Sequence, residues 1–286
     1  MSYFINHNHT IIPADEPVLR LDNRSFRYGD GLFETIRIAA GKVQLLDRHL
    51  ERLVRGAKLL KMKMPAGFTL EFLDQSIMEL AHRNGIREDG RVRLALFRKS
   101  GGQYTPESND SIFAIEVYPV EETGYVLNSK GLVVDLYTEF RKTPNALAAI
   151  KSANSLLYVM AGLYKQEQKL DECILSNDRG QIIEAISSNI FAVKNGVLYT
   201  PPVSDGCVDG VMRNEILRIA QANRIAVYEI NVMQNVLLGA DELFLTNSLY
   251  GIRWVVAYKQ KRYFNNTAKK LVEKLNESLL ETNDKI

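Results

Sequence analysis

The sequence predicts an α+β protein of two domains: a smaller N-terminal α+β domain over residues 1–120, a linker over 121–131, and a larger C-terminal domain over 132–286 built on an antiparallel-rich sheet or barrel. Three observations predict it. In the first half, two segments with apolar residues at helical spacing lie between short runs that read as strands. The stretch Glu121 to Gly131 is charged and contains glycines, as linkers do. The second half opens on a strand and a helix and then meanders through short strand-like runs separated by turn signals.

Taken in order, residues 2–12 alternate loosely about Asn-His-Asn-His and read as a hairpin, as does Phe33 to Ile38 with Gly41 and Lys42. Between Asp47 and Leu60 the residues Leu50, Leu53, Ala57 and Leu60 mark one amphipathic helix, and Leu70 to Arg83 a second. Arg91 to Arg98 and Ser111 to Tyr118 read as two strands joined by a glycine-containing loop from Gly101 to Pro106. The second domain begins with a strand near Leu132 to Tyr137 and a helix from about Ser152 to Gln168. The meander then runs Glu172 to Ser176, Gln181 to Ser187, Asn189 to Lys194 and Val197 to Thr200, with an Asn195-Gly196 turn before the last strand. A loop rich in Pro, Gly and Asp leads to a helix over Val211 to Asn223, strands near Val227 to Val232 and Glu242 to Thr246, and a helix after Asn266.

Composition narrows the function. With 36 basic and 34 acidic residues spread along 286 positions, neither nucleic acid nor an anionic membrane is an expected partner. No apolar run reaches the roughly 20 residues of a membrane span, and the N-terminus lacks a signal-peptide pattern. Cys173 and Cys207 form no framework; as free thiols they suit packing in a reducing cytoplasm, where the protein is expected. No metal is expected, since His49 and His82 have no partners at ligand spacing, and His7-Asn8-His9 reads as a polar hairpin tip.

Two lone charges stand out. Lys151 is the only charged residue between Pro144 and Tyr164, and Glu184 the only one from Gln181 to Val193. Burial disfavours an ammonium and favours the neutral amine that attacks an aldehyde, so Lys151 suits Schiff-base chemistry. A buried salt bridge between the two explains the same pattern, and spacing does not separate these readings. Asp209-Gly210-Val211-Met212-Arg213 adds a helix start whose free N–H groups favour a phosphate.

Read as one string, Glu184 to Phe191, Leu198 to Thr200 and Val208 to Arg213 resemble the signature of class IV pyridoxal-phosphate-dependent aminotransferases. Tyr28 to Thr35 is similar to that family's N-terminal motif, His49 to Leu53 to its phosphate-arginine motif, and Ile150-Lys151-Ser152 to its lysine segment. The resemblance implies the two-domain fold type IV architecture, pyridoxal 5'-phosphate as cofactor in the cleft between the domains, and a homodimer in which the partner's loop near Arg98 to Tyr104 completes the pocket. It implies that Lys151 holds the cofactor as a Schiff base and moves the substrate proton, and that Glu184 pairs with the pyridinium nitrogen. Arg52, the Val211 and Met212 amides and the Ser248 hydroxyl would bind the phosphate, and Val208 would pack on the ring. Ser187, Ser188, Asn189 and Asn247 would supply polar contacts. The substrate, a small amino acid or 2-oxo acid, would meet Tyr28, Arg93, Arg98 and Tyr104.

The family contains transaminases for branched-chain or D-amino acids and a lyase that releases pyruvate and 4-aminobenzoate from 4-amino-4-deoxychorismate. Leu156 stands where branched-chain enzymes typically carry a tyrosine, and the Arg-x-His pair of D-amino acid enzymes is absent from the loop that begins at Arg98. Thr35 and Ser100-Gly101-Gly102 look like the lyase, in which Thr35 would assist proton transfer. Transamination of a branched-chain-like or other neutral amino acid is the first expectation, the lyase the second, and a silent ligand-binding member a remote third.

Overall fold

The computed structural model describes residues 3–283, and they fall into two units. The first comprises Met1–Gly124 with Ile150–Ser155, the second Tyr125–Ala149 with Leu156–Ile286.

In the first unit β1 (Phe4–His7) and β2 (Thr10–Pro13) form the opening hairpin, with Asn8 and His9 at positive φ in its turn. A short helix, α1 (Arg24–Tyr28), is capped by the Asn23 side chain and ended by Gly29 in the left-handed region. Then come β3 (Gly31–Ala39), β4 (Lys42–Val43), α2 (Leu46–Leu59), α3 (Leu70–Arg83), β5 (Gly90–Arg98) and β6 (Ser111–Pro119). The strands make one antiparallel sheet in the order β2-β1-β6-β5-β3-β4. Alternation puts Leu32, Ile36 and Ile38 of β3 with Val92, Leu94 and Leu96 of β5 in the core, where α2 adds Leu46, Leu53 and Ala57 and α3 adds Leu73, Ile77 and Leu80. Thr69 caps α3 by accepting the Phe72 N–H.

The helix expected from about Ser152 starts later, as α4 (Leu156–Glu167), and belongs to the second unit. The residues before it run beside β3 instead: Phe33 N–H donates to the Lys151 carbonyl at 3.0 Å and Ala153 N–H to the Gly31 carbonyl at 2.9 Å. An antiparallel bridge between Ser152 and Leu32 of β3 takes up those backbone groups in place of a helix.

The second unit opens with β7 (Leu132–Leu136) ahead of α4. It continues through β8 (Glu172–Ser176), β9 (Ile182–Ala185), β10 (Asn189–Lys194), β11 (Val197–Thr200), α5 (Val211–Ala222), β12 (Val227–Glu229), α6 (Gln234–Gly239), β13 (Glu242–Asn247), β14 (Gly251–Tyr258), β15 (Lys261–Arg262) and α7 (Asn266–Asn283). The sheet order is β12-β11-β10-β13-β14-β7-β8-β9, with β15 beside β14. Most neighbours are antiparallel; β11–β12, β14–β7 and β7–β8 are parallel. A single bridge from Ile182 of β9 to Val232, just beyond β12, joins the two ends of that order, so the sheet curls on itself. Its inner side holds Val134, Ile174, Ile190, Leu243, Leu245 and Val255.

Among the described residues no helix is long and apolar enough to cross a membrane. Cys173 and Cys207 are buried free thiols.

Candidate active site

Glu34 lies between Leu32 and Ile36 on the face of β3 that α2 covers, and it is 1% exposed. A carboxylate in an apolar row persists only when paired. Leu46, His49, Leu53 and Gly56 recur at helical spacing along α2, so the stripe that buries the helix also turns His49 and Arg52 inward. The Arg52 fork grips Glu34, with Nε on Oε1 at 2.9 Å and Nη2 on Oε2. His49 Nδ1–H donates to Oε2 at 2.6 Å. Burial raises the Glu34 carboxyl, but the charge of Arg52 and the interactions of His49 outweigh it and bring it down to about 2. Burial also pushes His49 below its ordinary value, against the pull of Glu34 and with help from the charges of Arg52 and Lys151. A neutral His49 that donates through Nδ1 leaves Nε2 as an acceptor, and this buried nitrogen has no partner.

The bridge beside β3 fixes the backbone of Lys151, whose Nζ stands 4.2 Å from the centroid of the Phe33 ring. The Arg93 guanidinium lies 4.3 Å from the same ring. Thr35 is paired with Arg93 across β3 and β5, so Lys151, Arg93 and Thr35 gather around Phe33. Tyr104 is 88% exposed and rests against Tyr28, with ring centroids 5.5 Å apart. Arg98, expected at the substrate, is buried and committed elsewhere: Nε to Asp30 at 2.9 Å, Nη1 to Asn109 at 2.5 Å and Nη2 to the Leu60 carbonyl at 2.8 Å. Arg24, which the sequence reading passed over, bonds Asp30 at 2.8 Å and the Gly101 and Gln103 carbonyls at 3.0 and 2.6 Å. Arg24 thus holds the Gly101 to Pro106 loop, and both arginines share Asp30.

In the second unit Glu184 is 3% exposed on β9. The cation it meets is Lys142, with Nζ on Oε1 at 2.7 Å; the Tyr158 hydroxyl donates to the same oxygen at 2.8 Å, and the Val208 N–H to Oε2 at 2.8 Å. Neither Lys142 nor Tyr158 was singled out from the sequence. Val208 is in turn tied to β10, since Asn189 Nδ2 donates to its carbonyl at 2.9 Å. The same Asn189 side chain fills the space beside Gly210, the N-cap of α5, where any Cβ would overlap Oδ1. The start of α5 therefore presents the Val211 and Met212 amides with no side-chain cap and no acidic residue in the first turn. Thr246 faces Asn189 in the β10–β13 register, and its buried hydroxyl has no partner. Beyond it Asn247 donates to Ser188 Oγ at 3.0 Å, and Tyr125 donates to the Ser248 carbonyl at 2.9 Å. Ser187 is exposed on the turn and bonds Glu172 at 3.4 Å, away from the group around Glu184.

These groups suit pyridoxal phosphate in kind: a fixed buried carboxylate for a ring nitrogen, an uncapped helix start and hydroxyls for a phosphate, and in the first unit an amine and an anchored arginine.

Comparison with known proteins agrees. The family model described as amino-transferase class IV matches residues 31–258. A protein of Methanocaldococcus jannaschii assigned as a branched-chain-amino-acid aminotransferase is 32% identical over 254 residues, covering 87% of this chain and 86% of that one. D-alanine aminotransferase of Bacillus licheniformis is 29% identical over 248 residues, 84% and 83% of the two chains. The crystal structure of the branched-chain aminotransferase of Thermoproteus uzoniensis with norvaline superposes with a TM-score of 0.89 at 26% identity, covering 100% of this chain and 97% of that one. A match from the start of β3 to the end of β14, spanning both the segment of Lys151 and that of Glu184, identifies this chain as a member of the class IV aminotransferase family.

Proposed function

We propose that this enzyme uses pyridoxal 5'-phosphate, the cofactor of class IV aminotransferases, to transfer the amino group of a branched-chain or other neutral amino acid to a 2-oxo acid such as 2-oxoglutarate. The observation that carries the reading is Glu184: a buried carboxylate held on both oxygens beside an uncapped helix start, in a chain of this family. When bound, the cofactor supplies a protonated ring able to take up an electron pair from the substrate Cα. Lys151 would bind it through its amine and then carry the proton between the substrate Cα and C4′. Glu184 would keep the ring nitrogen protonated. Arg52, the Val211 and Met212 amides and Ser248 would hold the phosphate, with Glu34 fixing the plane of the Arg52 fork. Val208, Ser188, Asn189 and Asn247 would shape the ring site. Thr35, Arg93, Tyr28 and Tyr104 are the groups proposed to face the substrate.

The working form is proposed to be a homodimer. Leu156, Val159 and Leu163 expose 69%, 54% and 48% of their surface at helical spacing on α4, an apolar stripe that a second copy would cover. Sedimentation of the active enzyme as a monomer would refute this.

The function is tested by reconstitution with the cofactor, borohydride reduction and peptide mapping, then incubation with single L- and D-amino acids. The expected result is label on Lys151 and one equivalent of keto acid formed without an acceptor. Label on another lysine removes the assignment of Lys151. Pyruvate and 4-aminobenzoate from 4-amino-4-deoxychorismate, with no response to any amino acid, would replace transamination by the lyase reaction.

A further inference from the structure

The hydrogen bonds around Glu184 add up in a way that the family role of such a carboxylate does not require. A carboxylate offers about four lone-pair sites, two on each oxygen. Oε1 accepts from Lys142 at 2.7 Å and from Tyr158 at 2.8 Å, which fills it. Oε2 accepts from the Val208 N–H at 2.8 Å, which leaves one site.

We propose that Lys142 and Tyr158 are positioning residues that lock the rotation of the Glu184 carboxylate, so that one lone pair, on Oε2, remains for the ring nitrogen of pyridoxal phosphate. The inference rests on the reading above that Glu184 serves that nitrogen.

The lock is itself rigid. Lys142 has three N–H donors, and all are spent: on Glu184, on Tyr158 Oη at 2.8 Å and on the Ala148 carbonyl at 2.9 Å. To leave Glu184 the ammonium would have to break a closed triangle, since Tyr158 accepts from Lys142 and donates to the oxygen that Lys142 contacts. The direction of that triangle is fixed as well. Burial and then the charge of Glu184 push the Tyr158 hydroxyl far above its ordinary value, so it keeps its proton and acts only as donor toward the carboxylate. The backbone supports the arrangement: Lys142 N–H donates to the Ser176 carbonyl at 3.1 Å, which ties the loop to the end of β8, and Leu175 of β8 is paired with Glu184. With the Lys142 and Glu184 side chains only 13% and 4% exposed, water does not substitute for a lost donor at little cost.

The test uses the holoenzyme carrying cofactor labelled with 15N in its ring. The wild type should give one sharp ring-nitrogen resonance. Tyr158→Phe removes a single hydroxyl, and Lys142→Met removes the ammonium; in each, the resonance is expected to shift and broaden as the carboxylate reaches further orientations. The cofactor Kd should weaken by about tenfold, the effect of one hydrogen bond to a charged group. Lys142→Arg, which restores a donor, should recover most of the wild-type position. If Lys142→Met does not fold, Tyr158→Phe carries the test. A resonance unchanged in position and width in Tyr158→Phe and in any folded Lys142→Met, while Glu184→Gln displaces it, overturns the positioning role and leaves the proposed function intact. A resonance that Glu184→Gln fails to move overturns both.

Discussion

Acid should unfold this protein partly through one carboxyl, that of Glu34. Its value is 4.5 in an unperturbed chain and about 2 in the fold, where the charge of Arg52 and the contacts of His49 overcome the cost of burial. A carboxyl depressed by about 2.5 pH units stabilises the native state by about 3 kcal/mol, at about 1.36 kcal/mol per unit. The contribution is complete above the unfolded value and is lost as pH falls toward the folded one, because the unfolded chain takes up the proton first. Between pH 5 and pH 3 about 2 kcal/mol of it should vanish. His49 adds to the loss from a higher pH: burial holds its folded value below 6.5, so below that pH the unfolded chain is the better proton acceptor. Urea unfolding at successive pH values measures the slope in the wild type and in Glu34→Gln. The variant should be less stable at neutral pH, because it leaves Arg52 buried without its counter-charge, and should lose about 2 kcal/mol less between pH 5 and 3. Parallel slopes would refute the argument, as would a Glu34 carboxyl resonance that titrates above pH 3 in the folded protein.

Gly210→Ala is expected to cost about 2 kcal/mol, since the φ of −73° suits alanine and the whole penalty comes from displacing Asn189 Oδ1; thermal unfolding measures it, and cofactor affinity should fall as the start of α5 moves. Cys173 and Cys207 are each pushed up to about 12, by burial first and then by Glu172 and Glu184 respectively. Iodoacetamide at pH 8 should leave both intact in the native protein and alkylate both in urea.

The elements with a clear period were legible in the sequence. The two helices of the first unit, the strand pair β5 and β6 and the β8 to β11 meander follow from spacing and turn residues alone. α1, α6 and β14 are not among the elements expected: two are a helical turn or so long, and β14 is announced only by the Asn247 to Gly251 turn before it, where Asn247 Oδ1 accepts from the Leu249 and Tyr250 N–H groups. The sequence starts α4 too early because Ser152 to Ser155 has no residue that forbids a helix; only the edge of β3, distant in sequence, takes those backbone groups away.

The site divides the same way. Glu184 and Lys151 stand out because each is a lone charge in an apolar run, a local property that a sequence displays. Partners are not local. Arg52 is legible through the family resemblance; phasing α2 on Leu46 and Leu53 would have placed His49 with it on the buried stripe, whereas Glu34 on β3 follows only from the counter-charge that stripe requires. No phasing exposes Lys142, which sits next to Arg141 in a polar segment that reads as surface. It becomes a mostly enclosed cation because its backbone joins β8, its side chain is closed over by the Ala148 carbonyl and Tyr158, and β9 carries Glu184 to it. The bland reading, in which Glu184 sits in a buried salt bridge, is thus true of Glu184 with Lys142 as the partner. That pairing does not compete with the role proposed for Glu184 at the cofactor, since it leaves one lone pair of Oε2 unspent.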